Sequence, residues 1–267
     1  GDVYKRQFLD SLVTEGALSY GEIVKSANYC NIPLYSPYIC ALISFTEQNR
    51  LLQTSEWLGT SALLRSQLAD KWEMLSGNIS YAFAKYNNVI LVLQQSESLP
   101  VYEQVALVRE YCGDLMKMLS AKGQDRGVIF GIGDPVPSLA EFCRSYSQAL
   151  RTVDLASRIC DERIATYRRY ILCELIYDSP NAKLALIQRI KPLLAYDEEH
   201  NTQLLYTLET YFNNCQNSVK TSKALFIHRN TLLYRLDRIA EILDLNYNDS
   251  EQMLTFQLAL KAFLMCQ

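Results

Sequence analysis

The sequence predicts an α+β domain followed by an all-α domain built around a helix-turn-helix, and three observations predict it. Strand-like and helix-like segments alternate through the first 165 residues. Helical periodicity then runs from Thr166 to the C-terminus. Inside that helical part, residues 218–243 (SVKTSKALFIHRNTLLYRLDRIAEIL) split into two short amphipathic patterns joined by Phe226-Ile227-His228. The chain is accordingly read as an α/β domain at 1–165, a helical connector at 166–200 and a helix-turn-helix domain at 201–267.

In the first domain, residues 8–30 read as two short helices, with Gly16 placed to stop the first. Residues 34–45 have the aromatic and branched content of a buried strand, while 46–60 are polar and loop-like. Residues 61–75 form a helix with Leu64, Leu68 and Trp72 on one stripe. The clearest hairpin spans 79–95, where ISYAFAKY and VILVLQQ flank Asn87-Asn88; asparagine tolerates the positive φ of tight turns. A long amphipathic helix covers 101–121, and GVIFGIGD (127–134) is a short strand stopped by Pro135 and Pro137. Ser138 is suited to cap the next helix, with Glu141 at the capping-box position. Its inward face is Leu139, Phe142, Tyr146, Ala149, Leu150 and Val153. This order places two α/β halves around an antiparallel sheet.

In the helical part, YRRYILCELIYD and AKLALIQRIKPLLAYD alternate polar and apolar faces, with Pro180 as a joint. Residues 202–214 supply a helix that packs beneath the helix-turn-helix. Residues 250–265 close the core through Met253, Leu254, Phe256, Leu258, Leu260 and Phe263.

Composition bounds the function. With 49% hydrophobic and 21% charged residues and a net charge of -3, the chain reads as globular, and its acidity excludes broad, nonspecific coating of nucleic acid. No stretch approaches the ~18 apolar residues of a membrane span, and the start, GDVYKRQFLDSL, lacks the apolar core of a signal peptide, so a cytoplasmic location is expected. The chain begins at Gly1 without a methionine and reads as a piece of a longer or processed protein. Its eight cysteines stand at 30, 40, 112, 143, 160, 173, 215 and 266, with no CxxC among them. They are expected to be reduced, buried, small hydrophobes.

The helix-turn-helix carries the functional signal. Its second helix has Leu232, Leu236, Ile239, Ala240 and Leu243 on one stripe and Arg229, Asn230, Tyr234, Arg235, Asp237 and Arg238 opposite. Between Ser218 and Arg238, five basic residues face one acid, whereas residues 201–267 are neutral as a whole, with six of each. Positive charge is thus confined to where a phosphate backbone would be met. Arginine can grip guanine, asparagine can pair with adenine, and threonine offers a hydroxyl and a methyl. The pattern alone also suits an ordinary solvated helix pair.

The same residues resemble a known family. The segment ALFIHRNTLLYRLDRIAEILDL, followed by NDSEQMLTFQLALKAF, is similar to the C-terminal helix-turn-helix of PucR/CdaR bacterial transcription regulators, whose core has the form L-x-V/I-H-R-N-T-L-x-Y-R-L-x-R-I. FGIGDPVPSLAEFCRSYSQALRTVDLA resembles the family's degenerate GGDEF-like domain, whose fold is that of the nucleotide cyclases. The resemblance implies sequence-specific binding of duplex DNA by a homodimer, with a small-molecule effector sensed in a domain that precedes this chain. It implies that the second helix enters the major groove N-terminus first, with Arg229, Asn230 and Thr231 near base edges. Tyr234, Arg235 and Arg238 are expected on phosphates, with Lys220, Thr221, Ser222 and Lys223 of the first helix. His228 is left between capping the helix and touching phosphate.

Catalysis is not expected. A cyclase of this fold holds divalent metal with carboxylates on its first strand and hairpin. Here the strand SPYICALISF has no acid and the hairpin tip reads Tyr86-Asn87-Asn88. Gly131-Ile132-Gly133-Asp134 has Val136 where a dinucleotide fingerprint needs its third glycine, so it reads as a strand-ending turn. His200, beside Asp197, Glu198 and Glu199, reads as part of an acidic loop that caps the next helix. No catalytic residue, metal ligand, cofactor or membrane partner is therefore assigned. The remaining alternatives are a nucleotide-binding relic of a cyclase and a protein-interaction module.

Overall fold

The computed structural model describes residues 2–45, 71–86, 88–159 and 162–266. The loop expected at 46–60 and most of the helix expected at 61–75 lie outside the described residues. The chain divides into two compact units, Gly1–Ile171 and Leu172–Gln267.

The first unit contains α1 (Asp2–Leu12), α2 (Tyr20–Tyr29), β1 (Tyr38–Phe45), β2 (Ser80–Lys85), β3 (Asn88–Gln94), α3 (Val101–Ala121), β4 (Val128–Ile132), α4 (Phe142–Ile159) and β5 (Ile164–Thr166). Helix α5 (Tyr167–Tyr177) carries the chain across the division. The sheet order is β2-β3-β1-β4-β5. Strand β1 pairs antiparallel with both β3 and β4, setting Cys40 opposite Val92 and Leu42 opposite Gly131. The sheet is mixed rather than purely antiparallel, because β5 runs parallel to β4 with Phe130 opposite Ile164. A three-residue strand is too short to show a periodicity of its own; α4 returns the chain to the sheet as a crossover helix.

The surroundings of strand β1 explain why its sequence is apolar from Ile39 to Ile43. Successive side chains point to opposite faces of a strand, and both faces of β1 are covered. Tyr38, Cys40 and Leu42 join a core with α1, α2 and α4, while Ile39, Ala41 and Ile43 join another with Trp72 and the Val108, Tyr111, Cys112 and Leu115 face of α3.

Several local expectations are corrected. The β2–β3 ladder closes with Lys85 opposite Asn88, so Asn88 belongs to the strand, and Tyr86 takes the positive φ. Ser138 makes no capping bond, because the chain opens with a 3-10 turn, Leu139–Glu141, before α4 starts at Phe142. The Leu139 amide instead donates to the Leu34 carbonyl. Leu150 is 42% exposed, facing away from the sheet. Cys215 and Cys266 are exposed, whereas Cys40, Cys112 and Cys173 are buried.

The glycines of Gly131-Ile132-Gly133 serve close packing. A Cβ on Gly131 would lie 2.3 Å from the Ala149 carbonyl oxygen, and one on Gly133 would lie 2.1 Å from that of Ser145. Helix α4 thus rests directly on the β4 backbone, and Ser145 Oγ accepts the Cys40 amide at 2.9 Å. Strand-ending turn is therefore an incomplete account of this motif; helix-on-strand contact is what demands glycine.

The second unit contains α6 (Pro180–His200), α7 (Leu204–Asn213), α8 (Ser218–Ala224), α9 (Arg229–Leu243) and α10 (Ser250–Leu264). Its core joins Leu204 and Leu208 of α7, Leu232, Leu236, Ile239 and Leu243 of α9, and Met253, Phe256 and Leu260 of α10. Ile190 and Leu193 of α6 are fully buried in the same core, so part of the segment read as a connector belongs to this unit. Leu254 is exposed on the outer face of α10, one step off the stripe set by Met253, Phe256 and Leu260.

We predict that Gly133→Ala lowers stability by about 2 kcal/mol or more through overpacking against the α4 backbone. Gly113→Ala, in the interior of α3 with open space around the position among the described residues, raises stability by about 0.5–1 kcal/mol. Urea-denaturation midpoints of the two variants check this pair.

Candidate nucleic-acid interface

Helices α8, α9 and α10 each begin on the side chain of their own N-cap residue. Asn217 Oδ1 accepts the Lys220 amide at 2.9 Å to start α8, and Asp249 accepts the Glu251 and Gln252 amides at 3.0 and 3.2 Å to start α10. Helix α9 starts on His228, whose Nδ1 accepts the Asn230 amide at 3.3 Å. Capping is thus what the histidine does within the chain. A ring nitrogen that accepts carries no hydrogen, so Nε2 holds it and remains an exposed donor.

Helix α8 ends in a Schellman arrangement: the Ile227 amide reaches back to the Ser222 carbonyl at 3.0 Å, and the residue between, Phe226, has φ +54°. Leu225 and Ile227, on either side, pack against the core. The connection therefore turns two apolar side chains inward and one outward.

Helix α9 is held in place by more than its apolar stripe. Tyr247 donates to the Leu236 carbonyl at 2.8 Å, and burial pushes its phenol well above the ordinary range. Arg235 Nη1 donates to Thr207 Oγ1 at 3.1 Å, on the buried side of α7. Arg238 donates to the Tyr196 hydroxyl at 3.2 Å, lies over that ring and pairs with Glu241 at 2.7 Å. The Tyr196 bond, followed by Glu241, raises the pKa of its guanidinium.

The residues named from sequence sort into three groups. Lys220, Lys223, His228, Arg229, Asn230, Thr231 and Tyr234 are exposed. Arg235 and Arg238 are partly buried and already engaged, Arg238 on both sides of its guanidinium. Thr221 and Ser222 are corrected: they are 0% and 8% exposed, face inward and donate to the Asn217 and Val219 carbonyls at 2.8 and 3.1 Å. Helix α8 packs against both α7 and α9; small side chains let helices approach closely, and hydroxyls folded onto their own helix can be buried there. On this helix polarity does not follow exposure, since the apolar Val219 is exposed.

Charge is also divided along α9. On its outer face Asn230 and Tyr234 come first and the carboxylates Asp237 and Glu241 follow, all exposed. Only the first half of the outer face suits a polyanion.

The other motifs hold no reactive arrangement. Asp134 pairs with Arg168 at 2.8 Å. Asp197 accepts Thr202 Oγ1 and the Leu204 and Leu205 amides at 2.5, 2.8 and 2.9 Å, capping α7, while the His200 ring stacks on Tyr196. Among the described residues, no group of three or more His, Cys, Asp or Glu is arranged to hold a metal ion.

Comparison with known proteins fits this geometry. Residues 204–262 match the PucR C-terminal helix-turn-helix domain, and residues 15–155 match the GGDEF-like domain. The chain belongs to the PucR/CdaR family of transcription regulators. It is 27% identical over 66% of its length to the proline-responsive transcriptional activator PutR of Bacillus subtilis, covering 43% of that protein. To the carbohydrate diacid regulator of Escherichia coli it is 30% identical over 49% of its length, covering 34% of that protein. The purine catabolism regulatory protein of Bacillus subtilis matches 96% of the chain at 23% identity, with 48% of that protein covered. The chain spans less than half the length of these relatives.

We predict that Asp197→Ala, by uncapping α7, lowers stability by about 1–2 kcal/mol, and that added Zn²⁺ leaves the wild-type Tm unchanged. A zinc-dependent rise in Tm that is lost in Asp197→Ala would show instead a metal site at this carboxylate.

Proposed function

We propose that this chain is the regulatory core and DNA-binding end of a sequence-specific transcription regulator. The exposed first half of α9 carries the reading: a helix of a PucR-type helix-turn-helix, fixed by its core, presents Arg229, Asn230 and Thr231 at its head with Lys220 and Lys223 on the preceding helix. The head of α9 enters the major groove, where Arg229 and Asn230 meet base edges. Lys220, Lys223, Tyr234 and the Nε2 donor of His228 hold phosphates. Arg235 joins them with the donors it does not give to Thr207. Arg238 orders the back of α9 rather than the duplex.

A single helix-turn-helix covers few base pairs, so the regulator acts as a homodimer on paired half-sites. The effector is a small molecule sensed outside this chain; one relative is named as proline-responsive. The GGDEF-like domain transmits or assembles and does not catalyse. That reading is supported by β1 and the hairpin loop, which offer no carboxylate for the metal of a cyclase. Placement in the cytoplasm follows from action on DNA, and among the described residues no helix is long and apolar enough to cross a membrane.

Selection of duplexes from a random DNA library by the 267-residue chain tests the reading. Enrichment of a motif with inverted half-sites is expected, whereas absence of any DNA binding would favour a protein-interaction module. GTP with Mg²⁺ is expected to give no cyclic product. On the enriched duplex, Lys223→Ala should weaken binding and reduce the slope of log affinity against log salt by about 0.9, the value of one phosphate contact. Arg229→Ala should cost about 1–3 kcal/mol and relax specificity at one base pair. Arg238→Ala should leave the salt slope unchanged.

A further inference from the structure

Phe226 is 95% exposed at a place that favours glycine. Its φ of +54° lies in the left-handed region, where an L side chain crowds its own backbone. The Schellman bonds from Ile227 to Ser222 and from Phe226 to Lys223 hold it there. Among the described residues of the second unit, the other non-glycine residues at positive φ are Asn201, Cys215, Gln216 and Asp244, so Phe226 is the one aromatic. The chain thus accepts backbone crowding to hold an apolar ring in water, and the ring adds nothing to the core. Glycine would relieve the crowding at no loss of packing.

The surroundings say what such a ring meets. Lys223 lies three residues before it, His228 caps the next helix two residues after it, and Arg229 and Asn230 follow, all exposed. A solitary apolar ring set in a basic, hydrogen-bonding surface fits a polyanion that has apolar parts of its own. Duplex DNA provides these as the thymine C5-methyl in the major groove and the deoxyribose of the backbone. We infer that Phe226 is a DNA-contact residue whose ring packs on the apolar surface of the duplex beside the bases read by Arg229 and Asn230. This rests on the DNA-binding reading above. It adds to the polar contacts an apolar one that the turn, rather than the helix, supplies.

The test uses the whole chain and the duplex it enriches from a random library. Phe226→Gly and Phe226→Asn both suit a left-handed backbone, so each is expected to keep or raise Tm while losing affinity about tenfold, as for a buried ring re-exposed to water. Phe226→Tyr keeps the ring and should keep the affinity. Replacing thymines one at a time by deoxyuridine then locates the ring. A contacted methyl costs the wild type about fourfold at one position and costs Phe226→Gly nothing there. If no position behaves so while the tenfold loss stands, the ring lies on deoxyribose. Unchanged affinity in Phe226→Gly, or an equal loss in Phe226→Tyr, overturns the inference. Failure of the wild-type chain to enrich any duplex overturns the DNA-binding reading itself, which Phe226→Gly cannot do.

Discussion

The second unit depends on the burial of one stripe, Leu232, Leu236, Ile239 and Leu243, between α6, α7 and α10. A helix with one face in a core has no freedom to rotate, so that stripe decides which side chains look outward. Asn230, Tyr234, Asp237 and Glu241 occupy the opposite side as a geometric consequence of 3.6 residues per turn. The polar ties to Thr207, Tyr196 and Tyr247 add direction to what apolar burial leaves non-specific. These ties come from three different segments of the unit and together fix the position of α9.

The first unit is arranged around a different constraint. Its central strand is covered on both faces, so every position of β1 from Tyr38 to Ile43 is committed to packing. Helix α4 approaches β4 so closely that two glycines are required. A sheet packed this way has little room for a charged metal-binding group on β1, where a carboxylate would need a partner to offset its desolvation. The residues that pack this scaffold leave no carboxylate on β1.

Most elements were legible in the sequence because their periodicities are long. Helix α3 lies where its amphipathic pattern places it, and α9 and α10 follow theirs to within a residue or two. The parallel strand β5 was not legible, being three residues whose only reason to extend is a partner strand. Within the candidate interface, the exposed head of α9 follows from its stripe, whereas the burial of Thr221 and Ser222 does not follow from their polarity. Their hydroxyls are satisfied by their own helix, so polarity ceased to report on exposure. The caps Asn217 and Asp249 are legible in the sequence as residues suited to begin a helix.

By itself, the sequence determined the two-part organisation, the family, the place of the helix-turn-helix and the identity of the residues at the head of its second helix. Those properties are written in periodicity and in a long motif, both of which are local. Tertiary structure decided which arginines are free, that His228 caps α9, that α6 belongs to the second core and that Phe226 is turned into water. Each of these depends on contacts between segments far apart in the chain or on the exact turn of the backbone, and a one-dimensional pattern holds no record of either.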